Sequence, residues 1–310
     1  MRLNTTDGYY AREIESLGWE LTVCNMLARP ESPCRGVLRV NASYGALLAD
    51  FLATLVPLAS CSSVLEVGGG YGVLMRDFLD RVPHLACTML DISPFLLERQ
   101  HEALRGRSAS FVARDFFSVE DACLAGFDCA ILNEIVGDFP TACDIDPDAL
   151  SNGTDADDPA TARVRRIMLR YGIAPPEGAR FNFNLGAAEA AERLCAAGVP
   201  YIFMSEHSCE ARVPDALAGL VSIAAPGNPE RIPLKGHDEY TIAFSHLVAI
   251  AVGHGYRVVR GPLADIVPVD FDGRVRFIMS SNASRSDEHE IIRQFVEDLF
   301  KYEYVVFVKG

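Results

Sequence analysis

One stretch constrains this chain more than any other. Val64-Leu-Glu-Val-Gly-Gly-Gly-Tyr-Gly72 runs directly into Val73-Leu-Met-Arg-Asp-Phe-Leu79. Val64 to Val67 reads as a short buried strand and Gly68 to Gly72 as a tight turn. From Val73 the apolar residues Val73, Leu74, Phe78 and Leu79 fall at helical spacing. A strand, glycine turn and helix in succession is the opening unit of a nucleotide-binding α/β sheet, because a ligand can approach bare backbone at the head of a helix. The spacing is Glu66-x-Gly68-x-Gly70-x-Gly72, with Gly69 as a further glycine. A dinucleotide fold asks for G-x-G-x-x-G, which brings a pyrophosphate onto the helix. Here the spacing differs, and Glu66 would repel a phosphate. Both features argue against a nicotinamide oxidoreductase and suit a cationic ligand carrying an amino or sulfonium group.

The next segments extend the same pattern. Ala86-Cys-Thr-Met-Leu-Asp91 reads as the second strand, and a carboxylate at its end can accept hydrogen bonds from both hydroxyls of a ribose. Ile92 lies beside it, and Ser93-Pro94 opens a helix with proline in its favoured first turn. Ala109 to Ala113 reads as the third strand, followed by Arg114-Asp115-Phe116-Phe117. There Asp115 suits an adenine amine and Phe116 a stacking contact. Phe127 to Asn133 reads as the fourth strand, leading into Asn133-Glu134-Ile-Val-Gly-Asp138-Phe-Pro140. Polar groups at the carboxyl ends of central strands sit where open α/β sheets bind ligands. Val199 to Ser205 reads as the fifth strand, ending at Glu206-His207, a pair suited either to acid–base work or to a structural hydrogen bond. A strand from Tyr256 to Val259, a helix over 287–301 and a closing strand from Tyr302 to Val308 follow.

Other regions are less regular. Residues 7–28 predict one or two helices broken near Gly18, with Tyr9, Tyr10 and Trp19 available either as core or as cover for a cleft. Tyr44 to Leu55 has helical spacing. Residues 141–161 are rich in Asp, Asn, Gly and Ser and predict an exposed loop or lid. The acids Asp144, Asp146 and Asp148 lack the glycine and terminal glutamate of a calcium loop, so no metal site is expected. The basic run over 162–171 is expected to neutralise that loop or to face an acidic partner. The formal net charge of −14 argues against a nucleic-acid footprint. The odd count of nine cysteines, without a CxxC pair, reads as reduced thiols in a cytoplasmic protein. Residues 1–20 are too polar for a signal core, and no apolar run is long enough to span a bilayer.

Taken together, these segments resemble the class I S-adenosylmethionine-dependent methyltransferases. More narrowly, they resemble the MidA family, which includes the mitochondrial complex I assembly-factor arginine methyltransferases. Glu66 to Leu79 is similar to the family's glycine motif. Leu90-Asp91-Ile-Ser-Pro-Phe-Leu with Glu98-Arg-Gln100 resembles its second-strand motif. Asn133-Glu134 through Phe139-Pro140 is similar to its Asn-Glu-x-x-Asp-Ala-φ-Pro segment, where φ is apolar. Asp238 to Pro262 resembles its late segment, and Tyr44-Gly45 its entry helix. The resemblance covers roughly residues 40 to 265. It departs at Gly137, where the pattern has Asp, and at Glu206-His207, where it has Asp-Tyr-Gly.

The resemblance implies an α/β, Rossmann-like fold with a seven-stranded, mostly parallel sheet and helices on both faces. Residues 1–60 would form a helical segment over the cleft, and 61–310 the methyltransferase domain, with an insertion at about 141–184. S-adenosylmethionine would lie across Glu66, Gly68, Gly70, Gly72, Asp91, Ile92, Asp115, Phe116 and Asn133. The acceptor would be a protein side chain, arginine by resemblance, faced by Glu134, Asp138 and Glu206. A small-molecule acceptor with His207 as base, and a non-catalytic cofactor-binding assembly factor, remain the alternatives. Self-association as a homodimer stays open, and neither nucleic acid nor membrane is an expected partner.

Overall fold

The computed structural model describes residues 1–12, 14, 22–151, 158–281 and 283–310. Gly18 and Trp19 lie outside them. Seven strands build the central sheet: β1 (Ser63–Val67), β2 (Ala86–Asp91), β3 (Ala109–Ala113), β4 (Cys129–Asn133), β5 (Tyr201–His207), β6 (Tyr256–Pro262) and β7 (Tyr302–Lys309). Their spatial order is β6-β7-β5-β4-β1-β2-β3. The five strands from β5 to β3 are mutually parallel, and β7 runs antiparallel to both its neighbours. The expected seven-stranded, mostly parallel sheet is therefore present.

The inner strands are largely apolar because both faces are covered. Along β1 and β4, Val64, Cys129 and Ile131 enter one core while Leu65, Ala130 and Leu132 enter the other. On β5, Phe203 joins the first core and Ile202 and Met204 the second. The period of two thus serves two cores. The first is closed by α1 (Tyr44–Leu55), α2 (Val73–Arg81) and the helix Asp287–Lys301; the second by the helices Pro159–Tyr171, Leu185–Ala197 and Phe244–Gly253. α1 crosses α2 so closely that a Cβ on Gly45 would strike the Leu74 carbonyl oxygen. Glycine at that position lets the entry helix lie against the helix that follows the turn. α3 (Pro94–Ala103) is capped by Ser93, whose hydroxyl accepts from Leu96 N at 3.3 Å, with Pro94 in its first turn.

One sequence reading is corrected. Thr141–Ile145 is not an exposed loop: it is a largely buried strand pairing antiparallel with Arg2–Asn4 and Phe181–Phe183. Its acids mislead, because Asp144 points outward while Ala142, Cys143 and Ile145 are buried. The rest of that predicted loop includes the helix Pro147–Ser151, and residues 152–157 lie outside the described set. Among the described residues, the basic helix Pro159–Tyr171 pairs with the helix after it. Arg163 pairs with Glu189, and Arg166 and Arg170 with Glu192 at 2.7 and 3.0 Å. The helix Gly273–Ser280 was not foreseen. All nine cysteines are free thiols. Among the described residues no helix is long and apolar enough to cross a membrane.

Candidate active site

Chain order reverses between β1 and β4: β2 and β3 add on one side of β1, and β4 and β5 on the other. At such a switch point the loops leaving the two strands part and open a crevice at their carboxyl ends. A cavity of about 430 Å³ lies there. It is walled by the ends of β1, β2, β3 and β4 and covered by Thr5, Thr6, Asp7 and Tyr10 from the N-terminus.

The turn after β1 has the form the spacing requires. Gly68 sits at φ +66°, and a Cβ there would come within 2.5 Å of Ile135 Cγ1. A side chain at Gly68 would therefore be strained and would also push into the loop after β4. Gly68, Gly69 and Gly70 line the cavity; Gly72 does not, and instead caps α2 in a left-handed conformation.

Two buried carboxylates, Glu66 and Asp91, and a partly buried one, Glu134, set much of the site's electrostatics. Glu66 Oε2 has no hydrogen-bond partner among the described residues. Burial, then the nearby Asp91 charge, pushes its pKa from 4.5 up to about 8. Asp91 is better satisfied. Its Oδ1 accepts from Ser93 N at 2.9 Å and its Oδ2 from Gln100 Nε2 at 2.8 Å. Burial raises it to about 6, and these donors restrain the rise. Gln100 also donates to the Gly70 carbonyl at 3.1 Å, tying the turn to the second strand. Nothing in residue type distinguished Gln100 as a site residue. Its signal is a polar side chain, wholly buried, on the inner face of α3.

Glu134 is the third. It stands at φ +52°, a conformation uncommon outside glycine and concentrated at functional sites. Its Oε1 accepts from Asn133 Nδ2 at 3.2 Å and Cys24 N at 3.4 Å, while Oε2 lacks a partner among the described residues. Burial lifts the carboxyl to about 7; Asn133, Cys24 N–H and the Tyr302 hydroxyl, in that order, hold it down.

The remaining predicted residues divide. Ile92, Asp115, Phe116, Asn133 and Asp138 line the cavity with Glu66, Asp91 and Glu134. Asp115 caps the turn after β3, accepting from Phe117 N at 3.0 Å, and is otherwise exposed. Phe116 is almost wholly covered, parallel to Phe139 at 5.9 Å between centroids and under the Arg193 guanidinium at 5.2 Å. Phe117 and Phe139 line the cavity beside it and are less buried.

Glu206 and His207 do not line the cavity. Glu206 is buried behind it, accepting from Gly137 N at 3.1 Å and His207 N at 2.9 Å. His207 packs on Tyr302 at 3.8 Å between ring centroids, and burial, with Lys301 adding to it, lowers its pKa to about 4. A neutral, partly buried imidazole off the cavity is not placed to take a proton from a ligand there. Gly137 and Glu206 are linked: a Cβ on Gly137 would lie 3.1 Å from the Glu206 carboxylate and from the Tyr240 carbonyl.

The sequence did not point to the cluster behind Asp138. His237 Nε2 lies 3.1 Å from the Tyr10 hydroxyl, 3.4 Å from Glu239 Oε1 and 3.6 Å from Asp138 Oδ1, and Tyr9 stacks on the ring. Nδ1 has no partner among the described residues. The proton therefore belongs on Nε2, where the acceptors converge, and the cluster ties the N-terminus to the loop after β4.

No family model and no curated protein matches the sequence. Solved structures do match in fold. One is an uncharacterized protein from Burkholderia thailandensis, 16% identical, covering 86% of this chain and 80% of its own, with a TM-score of 0.51. Another is a protein of that organism and superfamily bound to S-adenosyl-homocysteine. It is 16% identical, covers 91% of this chain and 78% of its own, and has a TM-score of 0.52. At this identity the likeness is one of architecture, and with the strand order above it gives the chain the class I methyltransferase fold.

Proposed function

We propose that this protein is an S-adenosylmethionine-dependent methyltransferase of MidA type that modifies a cationic protein side chain, with arginine the acceptor. The observation that carries the reading is the pair of cavity carboxylates, Glu66 and Glu134, each with a buried oxygen left without a hydrogen-bond partner among the described residues. A buried carboxylate without a partner is costly unless a ligand supplies one. The glycine turn fits the same ligand, because Gly68, Gly69 and Gly70 present bare backbone to the cavity, and a Cβ at Gly69 would crowd Met89 and the Glu66 carboxylate. A neighbour of the same fold holding S-adenosyl-homocysteine supports the cofactor's identity.

When bound, S-adenosylmethionine supplies an electrophilic methyl group on a sulfonium. The chain's residues do the rest. Glu66 accepts from a cationic or hydroxyl group beside the turn. Asp91, fixed by Ser93 and Gln100, keeps further lone pairs for ribose hydroxyls. Asp115 and the phenylalanines that follow β3 would hold the adenine, by a hydrogen bond to its amine and by apolar contact. Glu134 and Asp138 orient the acceptor nitrogen, and Glu134, with its pKa raised to about 7, is matched to hold the proton that nitrogen loses. Thr6, donating to the Asp138 carbonyl at 2.9 Å, and Tyr10 keep water from the reacting groups.

Calorimetry with S-adenosylmethionine and S-adenosyl-homocysteine tests the cofactor, and methyl-labelled cofactor incubated with a cell lysate tests the acceptor. The expected result is binding of both compounds and label in protein. Glu134→Gln should abolish the label and change cofactor affinity less than about threefold. Failure to bind either adenosyl compound refutes the reading. Binding without transfer would mark an assembly factor, and label confined to small molecules would overturn the protein acceptor.

A further inference from the structure

β4 and β5 pair in parallel with Asn133 opposite Ser205. Ser205 is fully buried and meets the site twice. Its carbonyl accepts from Glu134 N at 2.9 Å, and its hydroxyl donates to Asn133 Oδ1 at 2.8 Å. With the oxygen end of that amide held by Ser205, the nitrogen end faces Glu134 and donates to Oε1. A side-chain amide is nearly symmetric in shape. Without the hydroxyl it could turn over and set its oxygen against the carboxylate, acceptor to acceptor.

We propose that Ser205 is a positioning residue of this site: it fixes the Asn133 amide donor-end toward Glu134 and so keeps that carboxylate charged for a cation in the cleft. The inference rests on the reading of the cleft as a cationic-cofactor site. The surroundings make the role necessary. Asp298 of the helix Asp287–Lys301 and Glu206 of β5 are acids whose charges oppose that of Glu134. Tyr44 from α1, Tyr302 from β7 and the Cys24 thiol feel the Glu134 charge, which adds to burial in pushing their own pKa values well up. Against burial and the Asp298 charge, the Asn133 amide is the strongest single contact favouring the charged form.

S-adenosylmethionine and S-adenosyl-homocysteine differ in one methyl and one positive charge, so the ratio of their affinities reads the charge of the cleft. Calorimetry on the whole chain between about pH 6 and 9 should show the wild type preferring the cation, with the preference falling as pH drops through about 7. In Ser205→Ala the half-point should move up by about one pH unit, lowering S-adenosylmethionine affinity by up to about tenfold where Glu134 has become protonated. Homocysteine-form affinity should stay within about twofold. Ser205→Thr, which keeps the hydroxyl, should behave as wild type. Asn133→Leu, which keeps much of the bulk and removes the donor, should lose the preference even with Ser205 intact. A folded Ser205→Ala with an unmoved pH response, or with both ligands weakened equally, overturns the positioning role alone. Absence of any adenosyl binding in the wild type removes the cofactor reading, and this inference with it.

Discussion

Glu66 links folding to ligand binding, and Glu66→Gln measures the link. Its carboxyl rises from 4.5 in water to about 8 in the folded chain. Each pKa unit corresponds to about 1.4 kcal/mol, so holding this group ionised in the empty protein costs up to roughly 5 kcal/mol at high pH. The direction follows from proton binding. The folded chain holds the Glu66 proton more tightly than the unfolded chain does. That contribution to stability is complete below about pH 4.5 and is lost as pH rises through about 8. Glutamine keeps the shape and cannot ionise. Its own unpaired amide adds a penalty of about 1–3 kcal/mol, but that penalty is independent of pH. The informative quantity is therefore the difference between variant and wild type as pH changes. Relative to wild type, Glu66→Gln should gain about 3 kcal/mol of stability between about pH 4.5 and pH 7, and up to roughly 5 kcal/mol by about pH 9. Urea unfolding at a series of pH values measures it. Saturating S-adenosylmethionine should shrink the gain, since a cation beside Glu66 favours the charged form. A difference that stays flat with pH would refute the desolvation of Glu66 and, with it, the argument that the cleft demands a cation.

Three further substitutions test the frame around that group. Gly68→Ala adds a left-handed strain of about 1–2 kcal/mol to the clash with Ile135; it should lower the melting temperature by a few degrees and abolish adenosyl binding by calorimetry, and near-normal affinity would contradict the cradle. Asp91→Asn leaves the Ser93 and Gln100 side of the carboxylate poorly matched and removes charge-assisted acceptance from a ribose. Cofactor affinity should fall about tenfold or more, and a 2′-deoxy cofactor analogue should lose less against the variant than against wild type. Gly45→Ala drives a methyl into the Leu74 carbonyl and should destabilise the fold by about 1–3 kcal/mol, read as a lower urea midpoint, while a midpoint equal to wild type would show that α1 and α2 can separate freely.

The parts of this molecule legible in the sequence are those whose physics is local. The turn at Gly68 to Gly72 could be read because its conformation forbids side chains, and the strand ends at Asp91, Asp115 and Asn133 because continuous apolar runs stop there. The lost parts depend on register between distant strands. Thr141–Ile145 looked like a loop because Asp, Asn, Gly and Ser dominate the stretch 141–161 that it opens. Only pairing with Arg2–Asn4 and Phe181–Phe183 decides that Asp144 faces out. Ser205 looked like the unremarkable end of a strand, and only its place opposite Asn133 makes it part of the site. The same reasoning joins two departures from the family pattern that appeared separate. Gly137 lacks the expected acid, and Glu206 stands where a shorter acid is usual. In space the Glu206 carboxylate occupies the room a side chain at 137 would need and accepts that residue's N–H. Asp138, one residue later, turns instead toward the cavity. Glu206 and Gly137 thus form one packed pair behind the cleft, and of these three residues Asp138 is the one that faces it.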